Sequence, residues 1–282
     1  MKLRHVLLTF YFLSFISVYH AQDIIRRDFT YAKKDSIELK AYVFTSEKKM
    51  KKENNPAIIL FYGDGWSGGE PSWSFERAGH FAELGFVAIA AQYRLSNRKN
   101  ISPLDAMEDA RDIIIWCRQM KDVFKVDPNK LVGYGWSAGG QLVISAAISG
   151  NKNHKVSSSP NALVLISPAL SLVTDKRFNE LLINKIDVEK ISPDKNVRPG
   201  LPPTIIFQGR NDSITPLRNA EVFAEKMKEK GNICKLIIYN NVGHLLAPLN
   251  KPENEVPHPD PEIQANAFKK ADDFLKKLGY IK

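Results

Sequence analysis

Two cysteines in 282 residues leave this chain unable to build a disulfide scaffold or a cysteine-ligated metal centre. Cys117 falls on a helical run and Cys234 on a strand, far apart and without metal-like neighbours, so they read as buried thiols, although an oxidising compartment would permit a bridge. No apolar run reaches the roughly 20 residues that a membrane-spanning helix needs. Internal repeats and low-complexity tracts are absent. No stretch interleaves basic residues with aromatics, which argues against a nucleic-acid partner. The excess positive charge, +9 overall, is spread along the chain, and its densest group, Lys48, Lys49, Lys51 and Lys52, reads as a solvated connection between strands. Neither a metal nor another cofactor is expected.

What is present begins with a leader. Lys2 and Arg4 precede the apolar run from Val6 to Val18, which includes Thr9, Ser14 and Ser17, and Tyr19-His20-Ala21 follow it. This is the pattern of a secretory signal peptide cut after Ala21. The expectation is residues 1–21 as leader and residues 22–282 as one exported domain, secreted or periplasmic, with no stable membrane insertion once the leader is gone. The mature chain keeps +7 of the charge, because Lys2 and Arg4 leave with the leader. At 44% hydrophobic content it can bury a sizeable core.

The residue pattern predicts an α/β fold. Residues 24–32 and 37–44 are joined by Lys33-Lys34-Asp35-Ser36, and the alternation of Ile37, Leu39, Ala41 and Val43 predicts an antiparallel hairpin. Strands are then expected over residues 57–61, 86–91, 130–134, 162–166, 204–208 and 234–239. Helices are expected over residues 74–84, 104–121, 138–149, 215–230 and 262–278. Such alternation predicts a mostly parallel, doubly wound sheet with helices on both faces. Residues 168–202 form a possible small cap, too short for a large lid, which predicts an open cleft and argues against long-chain lipids.

Gly135-Trp136-Ser137-Ala138-Gly139 closes one of these strands and opens a helix, the setting of a nucleophile elbow. A serine forced into a sharp turn at a strand's end presents its hydroxyl alone, and only small residues fit beside it. The remaining triad members should follow in the order Asp or Glu, then His, at the ends of later strands. Asp212 lies three residues past Gly209 after the strand at 204–208, and His244 ends the turn after the strand at 234–239. In this reading Ser137 attacks an acyl carbon, His244 relays the proton and Asp212 orients the imidazole. The plainer readings are Asp212 as a helix N-cap and His244 as a loop histidine. Oxyanion donors are expected from the amides of Ala138 and of Gly63, Asp64 and Gly65 after the strand at 57–61. Trp66 and Trp73, with Trp136 and Phe75 near them, are candidates to line an acyl slot or stack a sugar ring. Core packing is the alternative, and the preferred one for Trp136.

The stretches Tyr62 to Trp66, Gln92-Tyr93-Arg94-Leu95, Asp127 to Lys130, Gly135 to Gly140, Leu201 to Thr204, Gly209 to Asp212, Gly243-His244 and Phe274 to Tyr280 together carry a resemblance. With them the chain resembles the secreted carboxylesterase-type alpha/beta-hydrolases, which include acetyl esterases of decorated sugars and feruloyl-esterase-like proteins. The resemblance implies the alpha/beta-hydrolase fold and hydrolysis of small-acyl esters on a small molecule or oligosaccharide. The family's oxyanion loop, of the hormone-sensitive-lipase kind, commonly reads His-Gly-Gly-Gly, and Tyr62 and Asp64 replace the histidine and middle glycine. A carboxylate there opposes a developing negative charge unless it points away. Two alternatives stand beside this reading. A prolyl-oligopeptidase-type serine peptidase shares the triad order but needs a propeller for which the chain has no room. A non-catalytic ligand-binding protein on the same fold typically lacks a triad member, whereas all three are present.

Overall fold

In the computed structural model, which describes residues 23–150, 155–249 and 258–282, eight strands form one sheet. The leader expected over residues 1–21 lies outside the described residues. β1 (Ile24–Lys34) and β2 (Ile37–Ser46) pair as the antiparallel hairpin, and β2 also runs antiparallel to β4 (Val87–Ala91). β3 (Asn55–Phe61), β4, β5 (Val126–Trp136), β6 (Ala162–Ile166), β7 (Thr204–Gly209) and β8 (Cys234–Tyr239) are mutually parallel, in the order β1-β2-β4-β3-β5-β6-β7-β8. Every residue of β3, β4, β6 and β7 is buried. Strands covered on both faces have no polar side to show, hence their unbroken apolar runs.

Seven helices surround the sheet among the described residues: α1 (Phe75–Glu83), α2 (Pro103–Gln119), α3 (Lys121–Phe124), α4 (Ala138–Ser149), α5 (Lys176–Glu180), α6 (Leu217–Glu229) and α7 (Pro261–Lys277). Successive strand side chains point to opposite faces. Ile59 and Ile89 therefore join the core under α2, α4 and α6, while Ile58, Leu60, Ala88 and Ala90 join the core under α1 and α7. This is the doubly wound α/β sheet that the residue pattern predicts.

Several boundaries differ from expectation for local reasons. The helix expected over 104–121 is two helices, because the chain breaks at Met120 and the left-handed Lys125, with φ 56°, then turns it into β5. β5 starts at Val126 rather than 130, since Val126 pairs with Asn55 across a register shift. α6 begins at Leu217, two residues late, because Thr215 is engaged with Asp212 and Pro216 sits at the cap. Residues 168–202 carry only α5 and two single-turn 3-10 segments, Val188–Lys190 and Pro193–Lys195. Cys117 and Cys234 are unbridged, and burial pushes both thiols up to about 12.

The connection from β4 to α2 is held by an ion network. Arg94, 9% exposed, directs its backbone amide and its guanidinium onto Asp109 and also reaches Asp105 and Glu108 on the same helix. The same connection carries Tyr93, whose hydroxyl donates to the Tyr62 carbonyl at 2.7 Å, and Ser96, whose amide donates to the Trp66 carbonyl at 2.8 Å. The clamp thus supports the 62–66 loop from behind. Asp109→Ala strips Arg94 of its one fully buried counter-ion, and removal of one partner from a buried pair is strongly unfavourable. Urea unfolding of the variant should show a loss of about 3 kcal/mol with little change in m.

Candidate active site

Ser137 stands between the last residue of β5 and the first of α4 with φ 51° and ψ −124°, a conformation that costs a non-glycine residue on the order of 1–3 kcal/mol. The surroundings over-determine it. Its amide donates to the Ile166 carbonyl at 3.0 Å, and its carbonyl accepts from Gln141 and Ala169. A Cβ on Gly139 would collide with the carbonyl oxygens of Phe61 and Tyr62, and one on Gly63 would lie 2.6 Å from the Trp136 carbonyl oxygen and 2.8 Å from Ser137 Cβ. The elbow and the 62–66 loop therefore meet backbone to backbone, with no side chain between them.

The turns after β7 and β8 bring the other two residues to this point. The Ser137 hydroxyl donates to His244 Nε2 at 3.0 Å, and His244 Nδ1 donates to Asp212 Oδ2 at 3.0 Å, with Oδ1 at 3.2 Å. The Asp212 side chain is fully buried and that of His244 is 11% exposed. Burial alone raises the Asp212 carboxyl, but the hydrogen bond and charge of His244, with the Thr215 amide and hydroxyl, outweigh it and hold the group below the usual carboxylate range. The N-cap reading of Asp212 holds in part: Oδ1 accepts from the amides of Ile214 and Thr215, but these precede α6, and the carboxylate serves the turn and the histidine together. His244 is no ordinary loop histidine. Leu245 and Leu246 follow it with φ of 55° and 63°, and the Leu245 amide is pinned to Ser167 Oγ at 3.1 Å.

Sequence reasoning missed three supports of this triad. Gln208 donates to Asp212 Oδ2 at 2.8 Å from the end of β7, Thr215 reaches both Asp212 and His244, and Ser167 holds the histidine turn from the end of β6. A threonine three residues past the aspartate carries a turn signal that points to Thr215. Nothing local marks Ser167, because its partners Thr215 and Leu245 come from turns far along the chain.

On the other side of Ser137 the amides of Gly63, Asp64, Gly65 and Ala138 meet no backbone acceptor among the described residues. Ala138 opens α4, so its N–H is one of those a helix leaves unsatisfied. Asp64 is exposed and its carboxylate folds back against Gly68, where a Cβ would meet it, with the Ser67 and Gly68 amides donating to the Asp64 carbonyl.

The aromatic candidates separate. Trp66 is 2% exposed: its indole donates to Gln141 Oε1 on α4 at 2.8 Å and packs edge-on against the buried Phe178 of α5. It has no free face for a sugar ring, and its expected substrate contact is corrected to a packing role. Phe75 packs on Tyr42 and Phe44 in the core under α1, a packing role. Trp136 is half-buried between the two cores, as its packing reading expects. Trp73 alone remains open, 50% exposed and edge-on to Tyr62. Arg177 of α5 donates to Ser67 Oγ at 2.6 Å and lies over Gly65, so α5 is fastened to the loop. Among the described residues no group of His, Cys, Asp and Glu is placed to hold a metal, and no helix is long and apolar enough to cross a membrane.

Against known proteins, the BD-FAE family matches residues 44–175. The probable carboxylic ester hydrolase LipM of Mycobacterium tuberculosis is 24% identical over 62% of this chain, and the chain spans 45% of LipM. An endo-1,4-beta-xylanase B of Butyrivibrio fibrisolvens is 28% identical over 44% of this chain and 22% of its own length. Thermogutta terrifontis esterase 2 is similar over 91% of this chain and 96% of its own in its apo form, at 32% identity and a TM-score of 0.80. Its solved forms include one phosphorylated by paraoxon, at 31% identity and 0.79, and one with propionate bound, at 32% and 0.77.

The depressed Asp212 carboxyl has a consequence for stability. A group whose proton affinity falls on folding stabilises the fold above its unfolded value, about 3.9, and that contribution is lost as pH drops through the lower folded value. The stability deficit of Asp212→Asn against the native protein, measured by denaturant titration, should be greatest at neutral pH and shrink below about pH 4.

Proposed function

The chain belongs to the alpha/beta-hydrolase superfamily, among its carboxylic ester hydrolases, and on that premise we propose that it hydrolyses esters of small acyl groups, with carbohydrates as the favoured alcohols, through an acyl-enzyme on Ser137. The observation that carries the proposal is the unbroken chain from Ser137 Oγ through His244 to Asp212, beside a loop of unpartnered amides. Ser137 Oγ attacks the ester carbon while its proton passes to His244 Nε2. The amides of Ala138 and of Gly63 to Gly65 are then the donors for the oxyanion, which develops where the backbone is free of side chains. As the tetrahedral intermediate collapses, Nε2 returns the proton to the departing alcohol, leaving the acyl group on Ser137. Water, deprotonated by the same imidazole, repeats the sequence and releases the acid.

The small cap supports short acyl groups and an exposed alcohol site, since α5 and two 3-10 turns build no deep lipid tunnel. The half-exposed Trp73 and the match to a xylanase chain support a sugar on the alcohol side, and the propionate-bound relative supports the acyl side. Export to the periplasm or medium is part of the proposal and rests on Lys2, Arg4, the apolar run and Ala21.

Ser137→Ala should remove essentially all hydrolysis of nitrophenyl acetate while the far-ultraviolet dichroism stays native. Paraoxon should add one phosphoryl group to the native chain at Ser137, read by peptide mass spectrometry, and none to the variant. Undiminished turnover in a clean preparation of the variant would sink the mechanism. Rates on nitrophenyl esters of rising length, acetylated xylan, a feruloyl ester and a prolyl amide then place the substrate: the acetyl esters should lead, and faster cleavage of the amide would favour a peptidase.

The loop has its own test. Because the Asp64 carboxylate folds away over Gly68, Asp64→Gly should keep or raise turnover on aryl esters. Gly65→Pro removes an N–H and distorts the turn, so turnover should fall by at least the hundredfold typical of one lost oxyanion donor, roughly 2.7 kcal/mol.

A further inference from the structure

The hydroxyl of Thr215 stands where the turns after β6, β7 and β8 meet. Its oxygen is 3.2 Å from His244 Nδ1, 2.9 Å from Asp212 Oδ2 and 3.1 Å from the Ser167 carbonyl oxygen, and the residue is 5% exposed. A hydroxyl has one hydrogen and two acceptor positions. Two of these three neighbours, the carboxylate and the carbonyl, can only accept. The third, Nδ1, carries a hydrogen because both Asp212 oxygens face it. The Thr215 oxygen therefore meets Nδ1–H only as an acceptor, beside the two Asp212 oxygens, and its own hydrogen has two places to go, Asp212 or Ser167.

We propose that Thr215 is a positioning residue of the triad whose hydroxyl donates to Asp212 while His244 is neutral and turns its hydrogen to the Ser167 carbonyl when His244 becomes charged. The inference rests on the Ser-His-Asp reading above. No proton changes owner: a C–O bond rotates and one hydrogen bond replaces another. With His244 neutral, the buried carboxylate gains from every donor it has, namely His244 Nδ1–H, Gln208, the two turn amides and Thr215. Once Nε2 takes the serine proton, Asp212 is worth most to the imidazolium with its charge least shared. Turning the hydroxyl away removes one of the three donors on Oδ2, leaving Gln208 and Nδ1–H, and keeps the threonine lone pair toward Nδ1–H. The charge develops during bond making at Ser137, so the gain belongs to the transition state and not to substrate binding.

Ser167 is built for the alternative acceptor. It has φ 43°, is fully buried, and bonds the Leu245 amide through its own hydroxyl while its carbonyl faces Thr215. One residue thus fixes both the histidine's turn and the second resting place of the threonine hydrogen.

The test compares Thr215→Val, which keeps the volume and deletes the hydroxyl, with Thr215→Ser and Thr215→Ala, which both lose the methyl and differ only in the hydroxyl. On a nitrophenyl ester, Val and Ala should lower kcat about 3- to 10-fold, the rate equivalent of one neutral hydrogen bond, with KM within about twofold. Ser should recover most of the loss. Native turnover in Thr215→Val, or equal slowing in Ser and Ala, overturns the inference, and an equal loss appearing in KM does the same. Should Thr215→Val not fold, the Ser and Ala pair decides alone. An active Ser137→Ala would bring down the triad reading itself, whereas an inactive Ser137→Ala with an unimpaired Thr215→Val removes only the role of Thr215.

Discussion

Gly139 at the head of α4 rests against the carbonyl oxygens of Phe61 and Tyr62, and Gly63 rests against Trp136 and Ser137 in return. This reciprocal approach of two backbones sets the rest of the site. β3 and β5 are neighbouring parallel strands, so their carboxyl ends emerge side by side, and only residues without a Cβ let the two following loops close on one another. Ser137 is then held in a conformation that an isolated chain would avoid, with its hydroxyl directed to the one face where the histidine can arrive. The loop of free amides comes with it, because the same contact brings Gly63 to Ser137.

Each side of that contact is braced by a different device. The loop is backed by Tyr93 and Ser96, whose own segment is locked by Arg94 on Asp109. It is covered by α5, through Phe178 against Trp66 and Arg177 on Ser67. Trp66 also donates to Gln141 on α4, the helix that follows Ser137, so the loop, α4 and α5 meet at one buried indole. Across the sheet, the aspartate and histidine turns are tied to β6 through Ser167 and to one another through Thr215. The strain at Ser137, Ser167, Leu245 and Leu246 is concentrated at these ties, as expected where surrounding structure dictates local conformation.

Particular residues show why some of this was legible along the chain and some was not. The strand β6 was readable at both ends because a fully buried parallel strand is an unbroken apolar run bounded by polar residues. The start of β5 was not, since Val126 joins the sheet by pairing with Asn55, a partner 71 residues away. Ser137, Asp212 and His244 could be picked out because each follows a strand that is itself readable, and the triad's chain order is tied to that succession. Trp66 was misread because its composition and its neighbours suit a binding surface equally well. Only the arrival of Phe178 and Gln141 from elsewhere buries it.

The sequence by itself determined the alternation of strands and helices, the two faces of the sheet and the three residues at the strand ends, since these follow from periodicity and local turn chemistry, which act over a few residues. The tertiary structure alone decided which aromatics stay open to solvent, that Asp64 folds back over Gly68, and that Ser167 and Thr215 stand beside the triad. Those outcomes depend on contacts between segments that are distant in the chain, and no local pattern carries the distance between Thr215 and His244.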